Sequence, residues 1–498
     1  MGCQKKSVMF FATTYLLLFV VVVIGWIAQL VSSLSTSPAV QYNTFVILGG
    51  AGKIGTAVAA HLCRRSPGCT IVLTGRRPSQ EGRKAIQEVE ELLVKTEEDK
   101  RFLSKLHYEH VRDIWDPHDI SILKDLFEQY ETSCVIHTAG PYADRSPTVL
   151  DAAIAAGVPA YVDVSDPIPF LENSLKRHDK AVKSQTTALC AAGAFPGMSN
   201  VFAMEAASMA STKYGGELLD VRFNYFTKGL GGSGTINLYI TNLGFGDPMT
   251  QHVEGRRRSI DYLSGKIMGT VDFFIVDQES VPTHKRKQNE EAKRRVGTQK
   301  VFAWPFPEAA TVATELSLKG SSSAAMGTAP DIWNDMLGIL VKVVPRSWWR
   351  STQFSKFMAD FSQPLVLFTD KFMGSIAQDG DSGETHAMRV DVVSKQQSSE
   401  IRSMVSVVQA HDSFRQCVGQ SCAEFALDLL EHPNAGVFLP EQRYRANRDR
   451  QRIIDKLTAT PGTFCHIGPM EVTKDDSQDE LPVYPSNVLG QRHPAASQ

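Results

Sequence analysis

The sequence predicts an α/β chain: a doubly wound parallel sheet, a second α+β domain inserted into it, and an N-terminal transmembrane helix. Three observations carry that reading. Short β-branched apolar runs alternate with helical segments after residue 44, a glycine cluster falls on the first strand-to-helix turn, and residues 8–31 form one uncharged apolar run. The chain has 498 residues, 43% hydrophobic and 21% charged, enough for two domains around a sizeable core.

The N-terminal run includes LLLFVVVVIGWIAQL and follows Lys5 and Lys6. It exceeds the roughly 20 residues that span a bilayer and the roughly 7 to 15 apolar residues of a secretory signal. A single-pass anchor over residues 1–37 is therefore favoured over a cleaved signal, although small residues follow at Ser32 and Ser33. Lys6 stands where a myristoylation pattern wants Ser or Thr, which argues against acylation at Gly2. Lys5 and Lys6 place the N-terminus on the cytosolic side and the body across the membrane, yet no Asn-x-Ser/Thr sequon is present. A membrane location in a plastid or the endomembrane system reconciles the two.

Residues 44–48 (TFVIL) read as a buried parallel strand, and residues 55–62 continue at helical spacing. Between them lies GGAGKIG. In such a turn Gly50 permits the tight bend, Gly52 lets the backbone approach a pyrophosphate, and Gly55 lets helix and strand pack closely. Gly49, Lys53 and Ile54 complete the turn and the first helical amides, where phosphate charge is favoured. A second strand, residues 70–74 (TIVLT), is followed by Gly75, Arg76 and Arg77. An NAD site would place an acid there for the ribose 2′-hydroxyl. Two guanidinium groups instead offer a planar fork for a 2′-phosphate, so the expected cofactor is NADP(H).

The alternation continues. A charged helix over residues 79–105 leads to a strand at 106–113, a helix at 119–130 and the strand CVIH, which ends in Thr138, Ala139 and Gly140. Small residues at the carboxyl end of a strand leave room beside a cofactor. Asp113, at the end of the third strand, belongs to the same expected set. A helix over 146–156, a strand at 160–166 and another at 187–193 complete this half, a Rossmann-type domain over residues 41–205.

Residues 206–412 read as a middle α+β domain for substrate and dimerisation. Residues 220–226, 269–276, 386–393 and 404–408 alternate as half-exposed strands, while 229–235, rich in glycine, read as a mobile loop or a cleft lining. HKRKQNEEAKRR, residues 284–295, reads as a solvated connector. Over 332–373, large apolar residues interleave with Lys342, Arg346 and Arg350 around Trp348 and Trp349, which suits a membrane interface or a core helical pair. Residues 413–468 are expected to return to the first domain, with 417–430 covering its sheet, and 469–498 read as a disordered tail.

VILGGAGKIG, VLTGRR, VIHTAGPY, VLDAAIAAGVPAYVDVSD and LCAAGAFPGMSN together resemble the NADP-binding domain of the saccharopine dehydrogenase-like oxidoreductases. The likeness continues through GGSGTINLYITNLGFGDP, WPFPEA, APDIWNDML and GVFLPEQ, and is strongest toward members from cyanobacteria and plastid-bearing lineages. It implies a Rossmann domain, an inserted middle domain and NADP(H). It implies neither saccharopine as substrate nor any catalytic residue.

A net charge of −2 supplies no basic field for nucleic acid. Eight scattered cysteines without a CxxC point to neither a disulfide framework nor a metal site. Within residues 41–205 no YxxxK pair follows the fourth strand, which counts against a nucleotide-sugar epimerase. The expected function is an NADP(H)-dependent oxidoreductase acting on a small or lipid-like metabolite. The alternative is a catalytically silent NADP(H)-binding membrane sensor or scaffold. His137, Tyr142 and Asp163 are polar groups near the expected ring position, the catalytic residues stay unassigned, and a homodimer stays open.

Overall fold

The computed structural model describes residues 44–470, apart from 78–79, 94–104, 117–119, 215, 230–233, 262–263, 275–280, 377–383 and 397–401. The expected anchor over 8–31 and the tail beyond 470 lie outside the described residues. Among the described residues, no helix is long and apolar enough to cross a membrane.

The first half forms the parallel sheet that the apolar runs demand. Its strands are β1 (Thr44–Leu48), β2 (Thr70–Gly75), β3 (Lys105–His110), β4 (Cys134–His137), β5 (Ala160–Asp163) and β6 (Thr187–Leu189), with β7 to β14 in the second domain and β15 (Gly436–Phe438) arriving from the C-terminal segment. The order is β15-β6-β5-β4-β1-β2-β3, every pair parallel. Phe45, Val46, Ile47 and Leu48 are fully buried, as are Ile71, Val72 and Leu73, because helices cover both faces of the central strands. Strand order reverses between β1 and β4, the place where open α/β sheets leave a ligand crevice.

The second sheet runs β10-β11-β12-β7-β13-β14-β16. Its members are β7 (Gly216–Lys228), β10 (Ile267–Asp272), β11 (Thr298–Ala303), β12 (Ser322–Ala329), β13 (Thr385–Gln396), β14 (Arg402–His411) and β16 (Thr463–Met470), with a separate hairpin of β8 (Met249–Val253) and β9 (Arg256–Ile260). Only β12 and β7 pair in parallel. The long antiparallel registers of β13 with β7 and β14 follow from valine-rich alternation that buries Val390, Val392, Val405 and Val407. The C-terminal segment thus serves both sheets: β15 extends the first and β16 edges the second.

Two helical readings change. The charged run at 284–295 is not a connector but helix Thr283–Val296, whose Asn289, Ala292 and Val296 are buried at three- and four-residue spacing. The tryptophan pair divides: Trp349 is wholly buried against Phe245 and Phe354, and Trp348 faces outward. Helix Phe414–Glu431 does cover the first sheet, packed on helix Lys53–Arg65. A Cβ on Gly419 would stand 2.7 Å from Ala57 Cβ, so this close crossing needs glycine. Glu424 seals the contact, bonded to His61 Nε2 at 2.7 Å and Arg65 Nε at 2.6 Å. Burial pushes its carboxyl up, but the hydrogen bonds from His61 and Arg65 outweigh that and hold it below the usual range.

Candidate functional site

The turn after β1 is built by four hydrogen bonds. Gly50 N donates to Ile47 O (3.0 Å), Ala51 N to Thr74 O (3.1 Å), Gly52 N to Gly49 O (2.8 Å), and Gly49 N to Thr74 Oγ1 (3.3 Å). The left-handed residue is Gly49, at φ +76°, where a Cβ would come 2.8 Å from that of Ala139. The tight bend expected at Gly50 therefore belongs one residue earlier. Gly50 is needed for a different reason: a Cβ there would stand 2.8 Å from Leu73 Cα of β2. Gly55 matches its expected role, since its Cβ would meet Gly49 O and Gly50 Cα at 2.6 Å.

Gly52 differs from all three. A Cβ on it would meet only Gly49 O, at 3.1 Å, so its outer face is open. It caps helix Lys53–Arg65 without any side-chain hydrogen bond, and the first helical bond is Thr56 N to Gly52 O at 2.9 Å. The amides of Lys53, Ile54 and Gly55 thus have no acceptor within the helix. An open face beside three unspent amides at a positive dipole end fits a phosphate group. The Lys53 ammonium pairs with Glu88 at 2.8 Å, which also takes Arg415.

Arg76 and Arg77 follow β2 on the same edge, both exposed. Their carbonyls are pinned from β3: His110 Nε2 donates to Arg76 O at 3.2 Å and Tyr108 Oη to Arg77 O at 2.5 Å. On the other side of β1, Thr138 donates through its amide (2.8 Å) and hydroxyl (3.1 Å) to Leu48 O, which sets Ala139 and Gly140 beside Gly49. One strip along β4, β1 and β2 therefore gathers Gly49, Gly50, Gly52, Lys53, Ile54, Gly55, Arg76, Arg77, Thr138, Ala139 and Gly140. Asp113 lies past β3, one strand farther, with Oδ1 accepting the Trp115 amide at 2.8 Å. The second domain reaches this strip through helix Gly234–Gly244, whose Ile240 Cδ1 would lie 3.9 Å from a Cβ on Gly140.

The three polar candidates are occupied with structure. The Tyr142 hydroxyl donates to His137 O at 2.7 Å. His137 is ringed by Trp115 and Tyr142, its ring nitrogens have no hydrogen-bond partner, and burial pushes it down to about 3, so it is neutral. Asp163 accepts from Tyr161 Oη (3.0 Å), Ser165 N (3.1 Å), Ser165 Oγ (2.5 Å) and Ala191 N (3.0 Å), which uses its lone pairs to close the ends of β5 and β6.

The sequence reading passed over two other acids. Asp166 lies three residues beyond β5 and remains partly accessible. Burial, with the charges of Asp247 and Asp163, raises its carboxyl to about 6. Asp247 sits on the turn after helix Gly234–Gly244, so Asp166 faces charge from the second domain. Glu308 is wholly buried and accepts from the Tyr225 and Ser199 hydroxyls. Burial pushes it up to about 7 despite the Tyr225 hydrogen bond. An aspartate shortly after a parallel strand was the available signal for Asp166. Nothing local marked Glu308, whose neighbours come from three distant segments.

Residues 43–153 match the family model of the KR domain. That covers the β1-to-β4 portion carrying the strip, and it supports an NAD(P)-binding Rossmann domain of the dehydrogenase and reductase kind. An engineered D-amino acid dehydrogenase bound to NADP+ is similar at 14% identity, covering 83% of this chain and 98% of that one, with a TM-score of 0.35. A short-chain dehydrogenase from Oenococcus oeni is 13% identical over 31% of this chain and 81% of its own, at a TM-score of 0.23. The Bordetella bronchiseptica enzyme WbmG, in complex with NAD, is 18% identical, and the chain spans only 38% of its length, at a TM-score of 0.17. These scores are low, and the fold rests on the strand order above. No curated protein matches the chain.

Proposed function

We propose that this chain is an NADP(H)-dependent oxidoreductase of the saccharopine dehydrogenase-like kind, acting on a small or lipid-like carbonyl or imine. The observation that carries the reading is the open face of Gly52 beside the unspent amides of Lys53, Ile54 and Gly55, one strand from two exposed arginines. The turn would hold the pyrophosphate, Gly49 and Gly50 would keep it compact, and Arg76 and Arg77 would hold the 2′-phosphate. Asp113 would lie toward the nucleoside side, and Thr138, Ala139 and Gly140 would leave room for the ring. When bound, the cofactor supplies or accepts a hydride.

The residues of this chain would position the reactants and manage one proton. Hydride addition to a carbonyl or imine leaves an oxygen or nitrogen that must gain a proton. Asp166, raised to about 6 by burial, holds such a proton through the acid half of the physiological range. His137, Tyr142 and Asp163 do not serve, because each is engaged or caged.

Their engagement is also what favours the second reading, a silent NADP(H)-binding membrane sensor. One experiment separates the two. Purified protein is incubated with NADPH and an extract of apolar and polar metabolites, and cofactor absorbance is followed. The enzyme consumes NADPH and converts an extract component. A sensor binds NADPH in calorimetry and leaves the absorbance unchanged. Absence of binding removes both readings.

A further inference from the structure

Three consecutive helices of the second domain, Ile332–Val343, Arg346–Trp349 and Thr352–Ile376, turn large apolar side chains to the outside. Val343 is 73% exposed, Phe357 63%, Phe361 61% and Trp348 55%, with Ile339 alike. Phe357 and Phe361 lie one turn apart with rings stacked at 6.3 Å, so they form a stripe and not isolated residues. Leu365 and Phe368 continue it along the same face, also exposed. The stripe is held firmly from below. Trp349 is buried against Phe245, and Phe354 meets both Trp348 (5.5 Å) and Trp349 (5.3 Å). Asn242 Nδ2 donates to Ser355 O at 3.1 Å, fixing the long helix to helix Gly234–Gly244.

Large apolar side chains exposed at this density on consecutive helices mark a site for a partner or a membrane. The charges beside them indicate which partner. Lys342 precedes Val343 and Lys356 precedes Phe357, both exposed, against one exposed acid among the described side chains of the long helix, Asp360; Arg350, after the tryptophans, already donates to Gly246 O at 2.7 Å and lies 3.6 Å from Asp261. The buried centre of a protein–protein interface is depleted in lysine. Aromatic side chains interleaved with long cations match the headgroup level of a membrane, where rings sit at the boundary and ammonium groups meet lipid phosphate.

We infer that the face formed by Ile339, Val343, Trp348, Phe357 and Phe361 docks on a phospholipid bilayer carrying anionic headgroups. It rests on exposure and charge alone, independent of the cofactor reading. Its consequence is positional: the docked helix is fixed to helix Gly234–Gly244, which overlies Gly140.

The test uses the full chain with Phe361→Cys carrying a nitrobenzoxadiazole probe. The described native cysteines are all buried, and the unsubstituted chain labelled in parallel gives the background. The protein is reconstituted in vesicles of phosphatidylcholine and phosphatidylserine, with or without doxyl-bearing acyl chains. The probe shifts to the blue and loses most of its emission to the doxyl lipid, while the same probe at Lys183→Cys, on the first domain, keeps its emission. Lys342→Glu with Lys356→Glu weakens the quenching, and so does omission of phosphatidylserine. An unquenched probe overturns the inference. If its emission then depends on protein concentration without vesicles, the face joins two copies of the chain. If it is already blue-shifted and insensitive to both, the chain's own residues cover it.

Discussion

Exchanging glycines three residues apart in the turn after β1 should have opposite consequences. In Gly52→Ser the backbone, at φ −84° and ψ 166°, is extended and accepts any residue, and the new Cβ approaches only Gly49 O at 3.1 Å. Serine also caps a helix slightly better than glycine, so the unfolding free energy should change by only a few tenths of a kcal/mol. Its hydroxyl would take a first-turn amide and its bulk would stand on the open face. The loss of one hydrogen bond to a charged group, about 1.5–3 kcal/mol, predicts NADPH binding weakened about 10- to 100-fold. In Gly55→Ala the Cβ would stand 2.6 Å from Gly49 O and Gly50 Cα, both backbone atoms that cannot rotate away. Overpacking of that kind costs about 1–3 kcal/mol, offset by up to about 1 kcal/mol from the better helix propensity of alanine. Urea unfolding of the cofactor-free proteins measures the first quantity and titration calorimetry with NADPH the second. Normal NADPH affinity in Gly52→Ser, with stability unchanged, would refute the assignment of this turn. Equal stability loss in both variants would refute the steric argument.

Three further outcomes follow from other residues. Arg76→Glu should weaken NADPH by about 1.5–3 kcal/mol and leave NADH nearly unaffected, since only NADPH presents a 2′-phosphate to the guanidinium; equal calorimetric losses for both would remove the preference. Asp166 should titrate near 6 by carboxyl carbon-13 NMR, and NADPH-driven reduction should fall as pH rises through that value; the signal should vanish in Asp166→Asn, and a titration near the ordinary value of 3.8 would rule the group out as proton holder. Glu308 is raised from 4.5 to about 7, so the folded state binds its proton more tightly and the resulting stability is full below 4.5 and lost as pH climbs through 7. Relative to Glu308→Gln, the unsubstituted protein should therefore lose up to about 3 kcal/mol of unfolding free energy between those limits, and parallel pH profiles for the two proteins would contradict this.

The first sheet was legible because each central strand announces itself twice. TFVIL and CVIH are apolar apart from one polar end residue each, as burial on both faces requires, and each is closed by small residues where the chain must turn beside a neighbour. Gly52 and Gly55 could be given distinct roles from spacing alone. The assignment of the bend to Gly50 missed by one position, because two adjacent glycines satisfy the same pattern and only the packing of Ala139 and Leu73 distinguishes them. β15 gives no periodic signal in three residues; its place follows from pairing with β6, more than two hundred residues earlier.

The site's chemistry was harder to read for a related reason. Sequence proximity to the β4 and β5 ends selected His137, Tyr142 and Asp163, but strand-end residues must close turns: the polar atoms of Tyr142 and Asp163 are spent doing so, and the His137 ring is enclosed by Trp115 and Tyr142. Asp166 lies just past that closing layer, where burial between two domains raises its affinity for a proton despite a hydrogen bond from its own backbone amide. Glu308 carries the argument one step farther. Its environment is assembled from Tyr225 on β7, Ser199 after β6 and its own helix Glu308–Glu315, so no local pattern encodes it. A proton held there and a proton held at Asp166 act on one another, since each charge raises or reinforces the other's protonated form. Ionising either acid should make the second harder to ionise, which couples the seam between the sheets to the edge where the cofactor is proposed to bind.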